Sequence, residues 1–129
     1  HDRARSAKKH RYVHDTAVRY FWVREVGDWG RVHYHCTVLL NGDAYNWLGD
    51  YSSEGRNMAR RVCSAWASAQ GLAADQATGL VHFPENPSFL LMRDDPRSVA
   101  AFFHRASYMC KTATKQCGYG HHGYGSSRG

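Results

Sequence analysis

The sequence predicts an α+β domain, an antiparallel β-sheet with two main helices packed on it. Three observations point there. Two runs rich in β-branched and aromatic residues flank a Gly-Asp-Trp-Gly turn at 27–30. Apolar residues recur at helical spacing between about Asn57 and Gln70. An Asp-Asp-Pro start at 94–96 opens a second helical stretch reaching about Lys115.

The first dozen residues, HDRARSAKKHRY, have no apolar period and read as a basic arm or a frayed helix; we take 1–15 as this arm. Thr16 to Glu25 reads as a strand, and Val32 to Leu40 as its antiparallel partner, ended by Asn-Gly-Asp at 41–43. A polar loop follows. In the next helix Met58, Val62, Ala65, Trp66 and Ala69 fall on one face of a 3.6-residue period, with Arg60, Arg61, Ser64 and Ser68 opposite. Gly71 is its expected C-terminal stop.

GLVHF at 79–83 is expected as a short strand, PENP as a turn, and SFLLM at 88–92 as a further strand. Asp94 or Asp95 caps the last helix, because Pro96 suits its first position. The tail 116–129 is biased toward Gly, His and Tyr, and is either flexible or ordered by a ligand. No internal repeat is present, and 1–129 is expected to form one domain with room for a sizeable core.

No apolar run approaches the roughly 18 residues a membrane span needs, and no basic-then-apolar signal segment opens the chain. A cytoplasmic protein with no membrane partner is expected. The chain begins at His1, which suits a piece of something longer. Cys36, Cys63, Cys110 and Cys117 form no CxxC pair, so free thiols are expected. Cys117, His121 and His122 lack the fourth ligand of a structural zinc site.

The net charge of +6 is unevenly spread. Residues 1–24 carry a local +5, residues 25–110 a local −2, and residues 111–129 a local +3. Basic ends suit a polyanion, since phosphate neutralisation releases counterions. A solvated surface explains the same charge equally well. No feature specifies an oligomeric state.

Three features carry chemistry. His33 and His35 are two apart on a strand, so both imidazoles point one way and can share a metal ion. If the hairpin pairs residues whose numbers sum to 58, Glu25 lies opposite His33 and completes a three-ligand site. Two imidazoles and a carboxylate suit Mn²⁺ or Mg²⁺. A one-residue slip would turn Glu25 away, leaving it to pair with Arg24 or Arg31. In the last helix Tyr108 and Lys111 share a face that His104 can join and Lys115 continues. A tyrosine becomes a useful nucleophile beside a cation and a metal-polarised phosphate. From the helix alone, Tyr108 packed beside Phe102 or Phe103 is the simpler expectation.

A His-hydrophobic-His strand, an upstream acidic strand residue and a downstream helical Tyr-x-x-Lys stand here in the order used by the HUH endonucleases. The blocks VREVGDWGRVHYHCTVLLNGDAY, AWASAQGL, GLVHFPENPSF, RASYMCKTATK and GYGSSRG resemble the inovirus-type replication initiators and the YagK/YfjJ C-terminal domain family. The resemblance spans roughly Tyr20 to Arg128. It implies an HUH nuclease with an RRM-like core and a five-stranded sheet, against four strands counted here. It also implies His33 and His35 as metal ligands with Glu25 as the third, Tyr108 as nucleophile and Lys111 as the motif lysine. Thr112 stands where some relatives place a second tyrosine, so a single-tyrosine enzyme is implied.

The implied reaction is nicking and joining of single-stranded DNA, at an origin or hairpin, through a 5′-phosphotyrosine, as in rolling-circle replication of a phage or prophage in a bacterial host. Arg11, Arg19, Arg24, Arg105, Lys115 and Arg128 are candidates for the DNA backbone. Trp22, Trp29, Tyr34 and the C-terminal tyrosines suit stacking on unpaired bases, although for Trp22 and Tyr34 core packing is the simpler expectation. Two rivals predict different outcomes: a non-catalytic DNA-binding module forms no adduct, and a metal hydrolase using water needs no Tyr108.

Overall fold

The computed structural model describes residues 14–45, 47–49, 57–77, 79–113 and 120–128. These contain strands β1 (Arg19–Val26), β2 (Val32–Leu39) and β3 (Tyr124–Ser126) and helices α1 (Met58–Ala69) and α2 (Pro96–Ala113), with short 3-10 turns at Asp28–Gly30 and Ala74–Ala77. The fold is α+β, as expected. The described residues divide into two compact units, one drawn from His1–Ala44 and Leu91–Gly129, the other from Tyr45–Leu90. Among them, no helix is long and apolar enough to cross a membrane.

In the first unit the sheet order is β2-β1-β3, all antiparallel. β1 pairs with β2 in the register that sets Glu25 against His33 and Val23 against His35. The hairpin closes with the Gly27 amide donating to the Arg31 carbonyl at 2.8 Å, and Trp29 at its tip takes φ 66. The predicted start at Thr16 is three residues early. The Thr16 hydroxyl accepts from the Asn41 amide at 3.0 Å and the Asp15 carbonyl accepts from the Asn41 side chain at 2.7 Å, so this stretch ties to the end of the hairpin instead of joining the ladder.

Strand alternation puts Phe21, Val23, Glu25, His33, His35 and Thr37 on one face of the sheet. α2 packs on this face: it lies against β1, and the Thr37 hydroxyl donates to Met109 Sδ at 3.4 Å. Val23 beneath it is 2% exposed. Asp95 caps the helix, its carboxylate accepting from the Arg97 amide at 3.0 Å, and Pro96 takes the first position as expected.

β3 is a strand the sequence did not announce. It pairs Tyr124 with Val23 and Ser126 with Phe21. Gly125 between them lets Trp22 lie close, since a Cβ there would stand 2.8 Å from three atoms of the indole. The strands expected at 79–83 and 88–92 are not formed; both stretches are irregular. Pro84 and Pro87 remove donors, Asn86 takes φ 51, and no described strand pairs with either stretch.

In the second unit the Asn57 side chain accepts from the Arg60 amide at 2.9 Å and starts α1. Gly71, at φ +69, follows its end, and the Leu72 amide closes the last turn on the Ala67 carbonyl at 2.9 Å. The inward stripe is rotated from the predicted one. Ala59 and Ala67 are buried while Ala65 and Ala69 are exposed, because small side chains allow close approach of the Ala74–Ala77 turn. The core is thinner than the length suggested: among the described hydrophobic residues, only Val23, Ala59, Ala67 and Ala77 are buried.

Candidate functional site

The two histidines and the acid meet as the register requires, with one change of partner. His35 Nε2 stands 2.8 Å from Glu25 Oε2, a diagonal contact across the hairpin. The pair lies at the surface, and neither Arg24 nor Arg31 takes the Glu25 carboxylate in an ion pair within 4.0 Å. His33, directly opposite Glu25, instead has its ring beside Gly27, whose absent Cβ would stand 3.4 Å from His33 Cδ2 and Nε2.

Two imidazoles and a carboxylate on one exposed face are a donor set that Mn²⁺ or Mg²⁺ accepts. Among the described residues, no three His, Cys, Asp or Glu side chains are grouped so that they converge on one ion. Glu25 and His35 supply two donors as they stand. His33 supplies the third only after its side chain turns from Gly27 toward them.

Tyr108 is 70% exposed, so the packed-core alternative does not hold. It precedes Met109, the residue that meets Thr37 on the histidine face, so α2 carries the phenol on an element docked against that face. Lys111 and His104 are exposed on the same helix. Phe102, Ala106 and Met109 are among the half-buried residues of this helix, and Phe103 is 71% exposed.

The cationic candidates separate. Arg19, Arg105 and Arg128 are exposed, and Arg11 and Lys115 lie outside the described residues. Arg24 alternates to the face opposite His33 and His35, together with Trp22, Tyr34 and Cys36. Alternation of side chains along β1, which sets Arg24 one residue from Glu25, is the sequence signal for this separation. Trp22 and Tyr34 are not core residues: Tyr34 is 44% exposed, and the two rings meet edge to face at 5.7 Å. Trp29 is 95% exposed at the hairpin tip. Cys36, Cys63 and Cys110 are free thiols as expected, and partial burial pushes the Cys36 thiol above the usual thiol range. Cys117 lies outside the described residues.

No solved structure matches the chain. Among curated proteins it is 34% identical over 130 residues to the uncharacterized protein YagK of Escherichia coli (strain K12), covering 98% of this chain and 62% of that protein. It is 37% identical over 117 residues to the uncharacterized protein YfjJ of the same strain, covering 88% of this chain and 56% of that protein. The chain thus spans about three fifths of the length of these two relatives. Residues 1–127, which hold the hairpin, both helices and the tail strand, match the YagK/YfjJ C-terminal domain. On that match and those identities, the chain belongs to the YagK/YfjJ C-terminal domain family.

Proposed function

We propose that the chain is a single-tyrosine HUH endonuclease domain that nicks and rejoins single-stranded DNA through a 5′-phosphotyrosine, acting at a replication origin or hairpin in the bacterial cytoplasm. One observation carries this reading: an exposed tyrosine rides on a helix docked against the same sheet face that displays His33, His35 and Glu25.

Glu25, His35 and a reoriented His33 are the residues that would hold Mn²⁺ or Mg²⁺. Such an ion, when bound, supplies positive charge that polarises the scissile phosphate. The chain's own residues do the rest. The Tyr108 hydroxyl oxygen attacks phosphorus in line and its bond to phosphorus forms as the bond to the 3′-oxygen breaks. The departing oxygen takes up a proton to give a free 3′-hydroxyl, and the phenol gives one up. Lys111, three residues on and on the same side of α2, offers charge to the phenolate and to the crowded phosphorus centre. Reversal by an incoming 3′-hydroxyl rejoins a strand. No nucleoside triphosphate is consumed, because the phosphotyrosine retains the energy of the broken ester.

The test is an adduct assay. The protein is mixed with a labelled single-stranded origin or hairpin oligonucleotide from its own genetic element and Mn²⁺, then denatured. A protein–DNA adduct that disappears in Tyr108→Phe supports the reading. Binding without an adduct identifies a DNA-binding module, and cleavage that survives Tyr108→Phe identifies a hydrolase using water.

A further inference from the structure

The face of the sheet opposite the histidines carries aromatic and basic side chains. Trp22, Arg24 and Tyr34 point away from the histidine pair, and the segment entering β3 brings His121 and His122 against them. Between them lies a shallow, open cleft of about 450 Å3. We propose that this cleft binds an unpaired nucleotide of single-stranded DNA, its base among the rings and its phosphate against Arg24.

Three properties support that occupant. The lining is aromatic and basic without a carboxylate: the rings of Trp22 and Tyr34 accompany one guanidinium and two imidazoles. Rings beside cations are what a base and its phosphate require, and only an unpaired base offers a free face. The geometry is also specified. Trp22 and Tyr34 hold each other at 63° between planes, and Gly125 leaves Trp22 its place against β3. Finally, the chain's net charge of +6 complements a polyanion. That the polymer is DNA rests on the proposed function; the cleft's preference for a base and a phosphate rests on the residues alone.

The experiment measures binding in chelator, where no nicking intervenes, by fluorescence anisotropy with labelled oligothymidylate and with an abasic strand of equal length. The unaltered protein is expected to prefer the base-bearing strand by roughly tenfold or more. Tyr34→Ala should lose most of that preference. Arg24→Gln should keep it but lower the slope of log affinity against log salt by about one. Should Tyr34→Ala fail to fold, photocross-linking of the unaltered protein to an iodouracil-containing strand gives the same answer, with adducts expected on Trp22 or Tyr34.

Equal affinity for the two strands, or cross-links confined to α2, would overturn the cleft. Tighter binding of an oligoribonucleotide would overturn the assignment to DNA. If base preference persists while no phosphotyrosine forms, the nuclease reading fails alone. If the phosphotyrosine forms and both variants bind like the unaltered protein, the cleft fails alone.

Discussion

The Glu25 carboxylate meets the His35 imidazole at 2.8 Å, although its partner in strand register is His33. The contact is exposed, so as an ion pair it contributes little, at most about 1 kcal/mol. Its interest is chemical: two donors of the proposed metal site already touch, and their geometry is set by the hairpin ladder. Glu25→Gln keeps the shape and removes the charge. The melting temperature should barely move, while the Mn²⁺ concentration for half-maximal adduct formation should rise at least about tenfold. A fall in stability with an unchanged metal requirement would make the contact merely structural.

His35→Ala should abolish cleavage and leave oligonucleotide affinity nearly unchanged, since the imidazole is on the face opposite Arg24, Trp22 and Tyr34. Adduct yield and anisotropy, measured on the same preparation, separate the two effects. Full cleavage by this variant in chelator-treated buffer would refute the metal assignment.

Met109 joins α2 to the histidine face through Thr37. Met109→Ala removes packing next to the exposed Tyr108, the proposed nucleophile, without touching it. Because Met109 is only half-buried, the cost should be about 2 kcal/mol, near the low end for methionine truncation. Adduct formation should slow at saturating DNA by more than affinity falls, because the helix that positions Tyr108 is less firmly held. Denaturant titration and single-turnover assays would show this; an unchanged single-turnover rate would mean that the helix is positioned by other contacts.

The hairpin and both helices were legible because each satisfies a local rule: β-branched runs about a glycine turn, a helical apolar period stopped by Gly71, an Asp-Pro start. The Glu25–His33 register was open to a one-residue slip in the sequence, and the ladder is what sets it. β3 was illegible, since three residues centred on a glycine carry too little strand propensity to be read, and the segment is held by the ladder on β1 and by Trp22 over Gly125. Conversely, 79–83 and 88–92 were over-read: a strand needs a partner, and the prolines between them deny one. The exposure of Tyr108 was hidden by the aromatic residues around it, which suggested a buried helix flank.

Gly49 and Asn57 offer a sharp test of how α1 begins. Gly49 is buried at φ +93, and a Cβ on it would collide with Asn57 Cβ. Asn57 is the cap of α1, and the Leu48 carbonyl accepts from the Ala59 amide at 2.9 Å, so the loop and the helix start are laced together. Gly49→Ala therefore meets both an unfavourable backbone, costing about 1–2 kcal/mol, and displacement of a cap worth about 1 kcal/mol. Asn57→Ala alone should cost about 1 kcal/mol, and Asn57→Gly only a few tenths. The two sites should couple. In the Asn57→Gly background the collision loses its nearest atoms, so Gly49→Ala should become milder by about 1 kcal/mol. Urea unfolding of the four proteins closes the cycle. Strictly additive losses would mean that the backbone angle alone demands glycine at 49, and that the helix start yields without cost.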